Sequence, residues 1–242
     1  MTERVLLGML TPSSNTVLEP VSSAMLAGAP DVTAHFSRFR VTEISLEERA
    51  LGQFGYQPML DAADLLADAR VRAICWNGTS AGWLGLERDR DLCAAIADRT
   101  GIPATSSVLA LDEIFRLTGV ERYGLVTPYI DAVQDAIIDN FRGEGLVCTA
   151  ERHLGESVNF AFSEFPARTV ARMIREVAAS RPQAITILCT NVGGAPLVEE
   201  LERETGIPIY DSVATAVWGA LRLAKVDPRR VQNWGRLFRD VR

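Results

Sequence analysis

The chain repeats itself, and the repeat limits what it can fold into. Gly8-Met9-Leu10-Thr11-Pro12 in the first half is answered by Gly124-Leu125-Val126-Thr127-Pro128 in the second. Thr100-Gly101-Ile102-Pro103 is answered by Thr205-Gly206-Ile207-Pro208, and Ser107-Val108 and Ser212-Val213 follow at the same distance. Two matches in the same order, separated by about a hundred residues, mark an internal duplication. Each copy must then build the same supersecondary unit, and the two units are related by a pseudo-twofold.

Each copy alternates short apolar runs with amphipathic stretches. In the first, strands are expected at Arg4–Leu10, Val32–Phe39, Val71–Trp76 and Ala104–Ser106. Helices are expected at Thr16–Ala27, Pro58–Ala69, Leu86–Arg99 (stopped by Gly101) and Val108–Thr118. The second copy places strands at Tyr123–Thr127, Leu146–Arg152, Ile185–Leu188 and Ile209–Tyr210, with helices at Ile130–Glu144, Ala167–Ser180, Leu197–Glu204 and Val213–Leu223. Strand–helix alternation of this kind predicts an α/β fold of two similar lobes, residues 1–118 and 119–242, each a parallel sheet flanked by helices. Open parallel sheets bind ligands at the carboxyl ends of their strands. The active site is therefore expected in the inter-lobe cleft, where the loops Pro12–Thr16, Asn77–Gly82, Pro128–Ile130 and Cys189–Gly194 come together.

Composition narrows the chemistry. With 242 residues, 48% of them hydrophobic, the chain can bury full cores. Its formal net charge is −6 and its Lys and Arg are scattered, which speaks against a nucleic-acid partner. No apolar run approaches the roughly 18–20 residues that span a bilayer, so no membrane partner is expected. The N-terminal MTERVLLGML lacks the pattern of a signal peptide, and a cytoplasmic location is the expectation. Cys75, Cys93, Cys148 and Cys189 contain no CxxC pair, and His35 and His153 have no second ligand at metal spacing. No glycine-rich phosphate loop is present. Neither a metal nor an organic cofactor is expected, so side chains and backbone amides must carry the chemistry.

Four loops offer candidates. Pro12-Ser13-Ser14-Asn15-Thr16 opens a helix, where free N–H groups attract an anion. Asn77-Gly78-Thr79-Ser80-Ala81-Gly82 ends an apolar strand and offers two hydroxyls to a ligand. Thr127-Pro128-Tyr129 places a phenol at a strand end. Most free cysteines are small core hydrophobes, and Cys93 and Cys148 fit that description. Cys189 differs: it ends the apolar run Ile185-Thr186-Ile187-Leu188 before the polar loop Thr190-Asn191-Val192-Gly193-Gly194. A thiol at the start of a helix is expected to favour thiolate and can act as acid, base or nucleophile.

With these loops in view, the sequence resembles the aspartate/glutamate racemase superfamily, in the branch holding arylmalonate decarboxylase and maleate cis–trans isomerase. The likeness covers nearly the whole chain, through the duplicated lobes, Pro12–Thr16, Gly78-Thr79-Ser80, Pro128-Tyr129-Ile130 and Cys189. It implies a cofactor-independent cysteine enzyme acting beside a carboxylate of a small dicarboxylic acid, with Cys189 catalytic and with homo-oligomers common. Members with two cysteines hold one thiol on each of two facing loops. Here the first of those positions is Gly78, with Cys75 three residues earlier as a possible second thiol. The decarboxylase likeness implies that Thr79, Ser80 and Tyr129 hold a carboxylate while Cys189 protonates an enediolate. Asn15 and Asn159 resemble the dicarboxylate-holding residues of the isomerase, and Thr190 stands where the decarboxylase has glycine. Decarboxylation is the preferred expectation, since a racemase needs an acid and a base on opposite faces. Maleate-type isomerisation or amino-acid racemisation is the first alternative, and a non-catalytic carboxylate-binding protein the second.

Overall fold

The computed structural model describes residues 4–242. Met1–Glu3, part of the N-terminal segment MTERVLLGML, lie outside the described residues. The first half runs β1 (Val5–Pro12), α1 (Leu18–Leu26), β2 (Val32–Phe39), α2 (Glu48–Leu51), α3 (Tyr56–Asp68), β3 (Ala73–Trp76), α4 (Ala81–Leu84), α5 (Leu86–Thr100), β4 (Ala104–Ser106) and α6 (Ser107–Thr118). The second half runs β5 (Arg122–Val126), α7 (Asp131–Gly143), β6 (Val147–Arg152), α8 (Ala167–Ala178), β7 (Ala184–Ile187), α9 (Val198–Thr205), β8 (Ile209–Asp211), α10 (Ser212–Leu223) and α11 (Arg236–Asp240). The sheets are four-stranded and parallel, ordered β2-β1-β3-β4 and β6-β5-β7-β8. The same strand order in both is the duplication made structural.

The repeated residues have repeated jobs. Gly8 and Gly124 lie in the first strand of each half, where a Cβ would press on Val71 (2.9 Å) and on Val177 (2.2 Å) respectively. A side chain there would push the covering layer off the sheet. Gly101 and Gly206 close α5 and α9 in the left-handed conformation, with φ of 71° and 74°, a geometry glycine adopts at little cost. Ser107 Oγ donates to the Gly78 carbonyl (2.6 Å) and Ser212 Oγ to the Ile187 carbonyl (2.9 Å), so each closing helix pins a strand end. Strands β3 and β7 are buried along their whole length, which is why they read as unbroken apolar runs.

The closing helices cross between halves. Helix α10 packs against α6 and onto β3 and β4 of the first sheet, and Thr215 Oγ1 donates to the Ser107 carbonyl (2.9 Å). In exchange, Phe115 of α6 lies against Tyr123 and Tyr210 of the second sheet, with ring centroids 5.9 and 6.0 Å apart. Among the described residues, no helix is long and apolar enough to cross a membrane.

Candidate active site

The loops at the carboxyl ends of β1, β3, β5 and β7 meet one another, and polar side chains join the two halves there. Asn15 Nδ2 donates to Thr190 Oγ1 (3.0 Å), which donates to the Asn77 carbonyl (2.9 Å). Asn159 Nδ2 donates to Ser14 Oγ (2.7 Å), while the Asn159 carbonyl accepts from Asn191 Nδ2 (2.6 Å). Thr79 Oγ1 and the Tyr129 hydroxyl share a hydrogen bond of 2.6 Å. Asn15, Asn77, Thr79, Ser80, Tyr129, Asn159, Cys189, Thr190 and Asn191 are each 5% exposed or less. A short strap joins the two halves beside the junction. Ile44 N–H donates to the Ser157 carbonyl (2.8 Å) and Asn159 N–H to the Thr42 carbonyl (3.0 Å), around an antiparallel bridge between Glu43 and Val158.

Cys189 sits two residues beyond the end of β7. Its Sγ accepts from the Asn191 N–H at 3.4 Å, and the Tyr129 hydroxyl is near enough to the thiol to lower its pKa. Burial pushes the thiol up to about 12; Tyr129 and the Asn191 and Val192 amides pull it down, and Asp211 pushes it up. Desolvation wins because a buried thiolate loses its hydration. This corrects the expectation of a thiolate at a helix start: the residues after Cys189 form a turn, and α9 begins only at Val198. Cys189 rests as a protonated thiol. Burial likewise holds the Tyr129 phenol in its O–H form.

The anion-binding expectation for Pro12–Thr16 also changes. The Asn15 carboxamide oxygen accepts from Val17 N–H and Leu18 N–H, and that of Asn191 accepts from Thr16 N–H and Val17 N–H. These side chains already engage the Thr16, Val17 and Leu18 amides. Ser80 is similarly engaged, accepting from the Trp76 indole N–H at 3.4 Å.

Cys75 lies inside strand β3. It is fully buried, and its charged and thiol neighbours are Asp89 and Cys93 of α5. The neighbours of the Cys189 thiol are instead Tyr129, Asn191, Val192 and Asp211, so the structure does not bring Cys75 to the junction. At Gly78 a Cβ would fall 2.0 Å from Trp76 Cζ2, so the buried indole occupies the space a side chain would need.

Sequence reasoning placed Asn77 and Asn191 in candidate loops without giving either a role, and it missed Asp211. Asn191 was visible as an amide two residues after Cys189. Asp211 was visible as a break in the duplication, standing where the first half has Ser106. Among the described residues, no group of three or more His, Cys, Asp or Glu is placed to hold a metal ion.

The profile of the family described as arylmalonate decarboxylase matches residues 15–238. The chain belongs to that family. It is 28% identical over 241 residues to the maleate isomerase of Nocardia farcinica (strain IFM 10152), covering 97% of this chain and 95% of the relative. It is 28% identical over 185 residues to the arylmalonate decarboxylase of Bordetella bronchiseptica, covering 75% and 77%. The solved structure of a cysteine-to-serine mutant of the Nocardia farcinica maleate cis–trans isomerase, with a covalently bound succinylcysteine intermediate, has the same fold. Its TM-score is 0.90 at 24% identity, over 98% of this chain and 99% of that one. This chain is an enzyme of the family.

Proposed function

We propose that this enzyme decarboxylates a small malonate-type dicarboxylic acid, with Cys189 as the only proton donor to the substrate carbon. One observation carries the reading: the junction holds a single thiol, and the loop position where two-thiol relatives would place another is Gly78, covered by Trp76. A lone protonated thiol suits one-sided proton delivery.

In the proposed step, one carboxylate is held by the Thr79 and Tyr129 hydroxyls and nearby backbone N–H groups. The bond from the α-carbon to the other carboxylate breaks, and carbon dioxide leaves. The bonding electrons pass into the retained carboxylate as an enediolate. The Cys189 S–H then donates its proton to the α-carbon, and the thiolate left behind recovers a proton from solvent. Donors aimed at the developing enediolate charge carry much of the rate enhancement. The strap Thr42–Ile44 and Ser157–Asn159 borders this junction.

A second reading, maleate-type cis–trans isomerisation, is favoured by Asn15 and Asn159, whose amide N–H groups both point into the junction. Incubation with malonate derivatives, maleate and amino diacids in deuterated water, followed by NMR, separates the two. Decarboxylation predicts loss of carbon dioxide from a malonate with one deuteron gained at the α-carbon. Conversion of maleate to fumarate with no malonate turnover would replace the proposal with the second reading.

A further inference from the structure

His153 is a titratable side chain that the proposed step does not use. It follows β6, and its ring spans two carboxylates. Nδ1 lies 2.8 Å from Glu151 Oε2, and Nε2 lies 2.7 Å from Oδ1 of Asp131, the first residue of α7. An ionised carboxylate only accepts, and a neutral imidazole carries a single N–H. Both bonds can therefore form together only in the imidazolium, which has an N–H on each nitrogen. Burial disfavours the charged ring, but the hydrogen bonds and charges of Glu151 and Asp131 outweigh it and raise His153 above its ordinary value.

Hydrogen bonds lead from this ring to the site. The same Glu151 oxygen accepts from Gln134 Nε2 (2.8 Å), and Gln134 Oε1 accepts from Thr127 Oγ1 (2.6 Å). Thr127 Oγ1 in turn accepts the Tyr129 N–H (3.3 Å). Gln134 and Thr127 are each 1% exposed, so the middle of this chain of bonds is shut off from water. The backbone adds a second connection on either side of His153: Thr127 N–H donates to the Arg152 carbonyl (3.1 Å) and Gly155 N–H to the Tyr129 carbonyl (3.0 Å). We infer that His153 is a positioning residue, whose doubly bonded imidazolium clasps Asp131 to Glu151 and thereby fixes the Thr127–Tyr129 loop that presents the Tyr129 hydroxyl to substrate. The inference rests on the reading of Tyr129 as a holder of the retained carboxylate.

Loss of the ring proton leaves a lone pair facing one carboxylate, so one of the two bonds becomes a repulsion. A raised folded value means that the clasp is complete at mildly acidic pH and comes apart as pH rises through the His153 midpoint. The charged groups acting on the ring are Asp131 from α7 and Glu151 from β6. Arg152 bonds instead to Glu176 of α8 (2.7 Å), which also holds Arg172 (2.8 Å). Glu156 accepts from the Ser157 and Val158 N–H groups (2.7 and 2.8 Å). The first half offers a comparison. There Arg38 of β2 bonds Glu19 of α1 (2.9 Å) and the Ser13 and Asn15 carbonyls (2.8 and 3.0 Å). A guanidinium stays charged at every working pH, so the loop after β1 has a permanent clasp and the loop after β5 a titratable one.

NMR pH titrations of the full chain test this. His153 is read from its ring Cε1–H signal, assigned with His153→Gln. Tyr129 is read from its amide and from the ring carbon that bears the hydroxyl, assigned with Tyr129→Phe. Across about pH 5–9, where histidine titrates, the Tyr129 signals of the parent are expected to shift with the His153 midpoint. His153→Gln is expected to abolish that shift. Asp131→Asn, at a side chain 88% exposed, is expected to lower the His153 midpoint and to carry the Tyr129 midpoint down with it. Tyr129 signals that ignore the His153 midpoint in the parent, or that still titrate in folded His153→Gln, overturn the inference. Should His153→Gln fail to fold, Asp131→Asn supplies the reading, and His153 and Tyr129 midpoints that separate there overturn it. The titrations need no substrate, so they succeed or fail independently of the decarboxylation test.

Discussion

At the residue scale, the proposed decarboxylation gives the proton to Cys189 and the holding of the retained carboxylate to Tyr129. The thiol, pushed up to about 12, keeps its proton across the neutral and mildly alkaline range. An acid catalyst works while protonated, so kcat/KM is expected to show no alkaline loss attributable to Cys189 until pH approaches that value. A pH–rate profile from 6 to 10 checks it. Cys189→Ala is expected to lower kcat by about 10²–10⁴-fold, the usual worth of a positioned acid. Tyr129→Phe removes the hydroxyl that is bonded to Thr79 and is expected to cost about 10²–10³-fold in kcat, the usual loss for one donor to a developing oxyanion. Steady-state kinetics on the malonate substrate measures both. Cys75→Ala is expected to leave kcat and KM within twofold of the parent, because its neighbours belong to α5. It should cost about 1 kcal/mol of stability by emptying a buried site, measurable by urea unfolding.

At the scale of elements, the loop after β3 decides how many thiols the site can hold. Gly78→Cys must displace the Trp76 indole, which is fully buried and packs on Phe39 at 5.1 Å between centroids. The single variant is expected to lose about 1–3 kcal/mol, the usual cost of overpacking, and Trp76→Leu in the same chain should recover part of it; thermal unfolding of the single and double variants measures this. Such a clash could not be read from Gly78-Thr79-Ser80, because the chain leaves Trp76 two residues earlier and only the folded loop turns the ring back. The main strands and helices were legible to within two residues: β3 and β7 because burial on both faces writes continuous apolar runs, β2 through its alternation, and helix ends through the repeated glycines. Helices α2 and α4, one turn each, were not, since four residues carry no period. The strap was also hidden: Thr42–Ile44 and Ser157–Asn159 pair across the two halves with no pattern in either segment. Helix α1 begins at Leu18 rather than Thr16 because Asn15 and Asn191 hold the preceding amides in a turn.

For the whole molecule, the duplication made the two sheets legible, but not the crossing of α6 and α10 between them. The apolar character of α10 says that it is buried, not which sheet buries it. A buried carboxyl shows the cost of packing polar groups into this fold. Asp89 of α5 is 1% exposed, and burial raises it from the usual carboxylate range to about 7. A carboxyl whose folded value lies above its unfolded one stabilises the fold fully below the unfolded value and loses that contribution as pH rises through the folded one. Asp89→Asn cannot ionise, so its stability relative to the parent is expected to rise between about pH 4 and 7 and to level off above that, by a few kcal/mol in total. Chemical denaturation at a series of pH values provides the comparison; a difference independent of pH would show that Asp89 does not titrate in the fold.

The central claim is that one thiol delivers one proton from one side. A prochiral disubstituted malonate, turned over in deuterated water, tests it most directly through the configuration of the new α-carbon. The account predicts a monoacid carrying one deuteron, formed as a single enantiomer, whose configuration does not decay on further incubation with the enzyme. A racemic product, or one that racemises while the enzyme is present, would contradict it by requiring a second group to act from the opposite face.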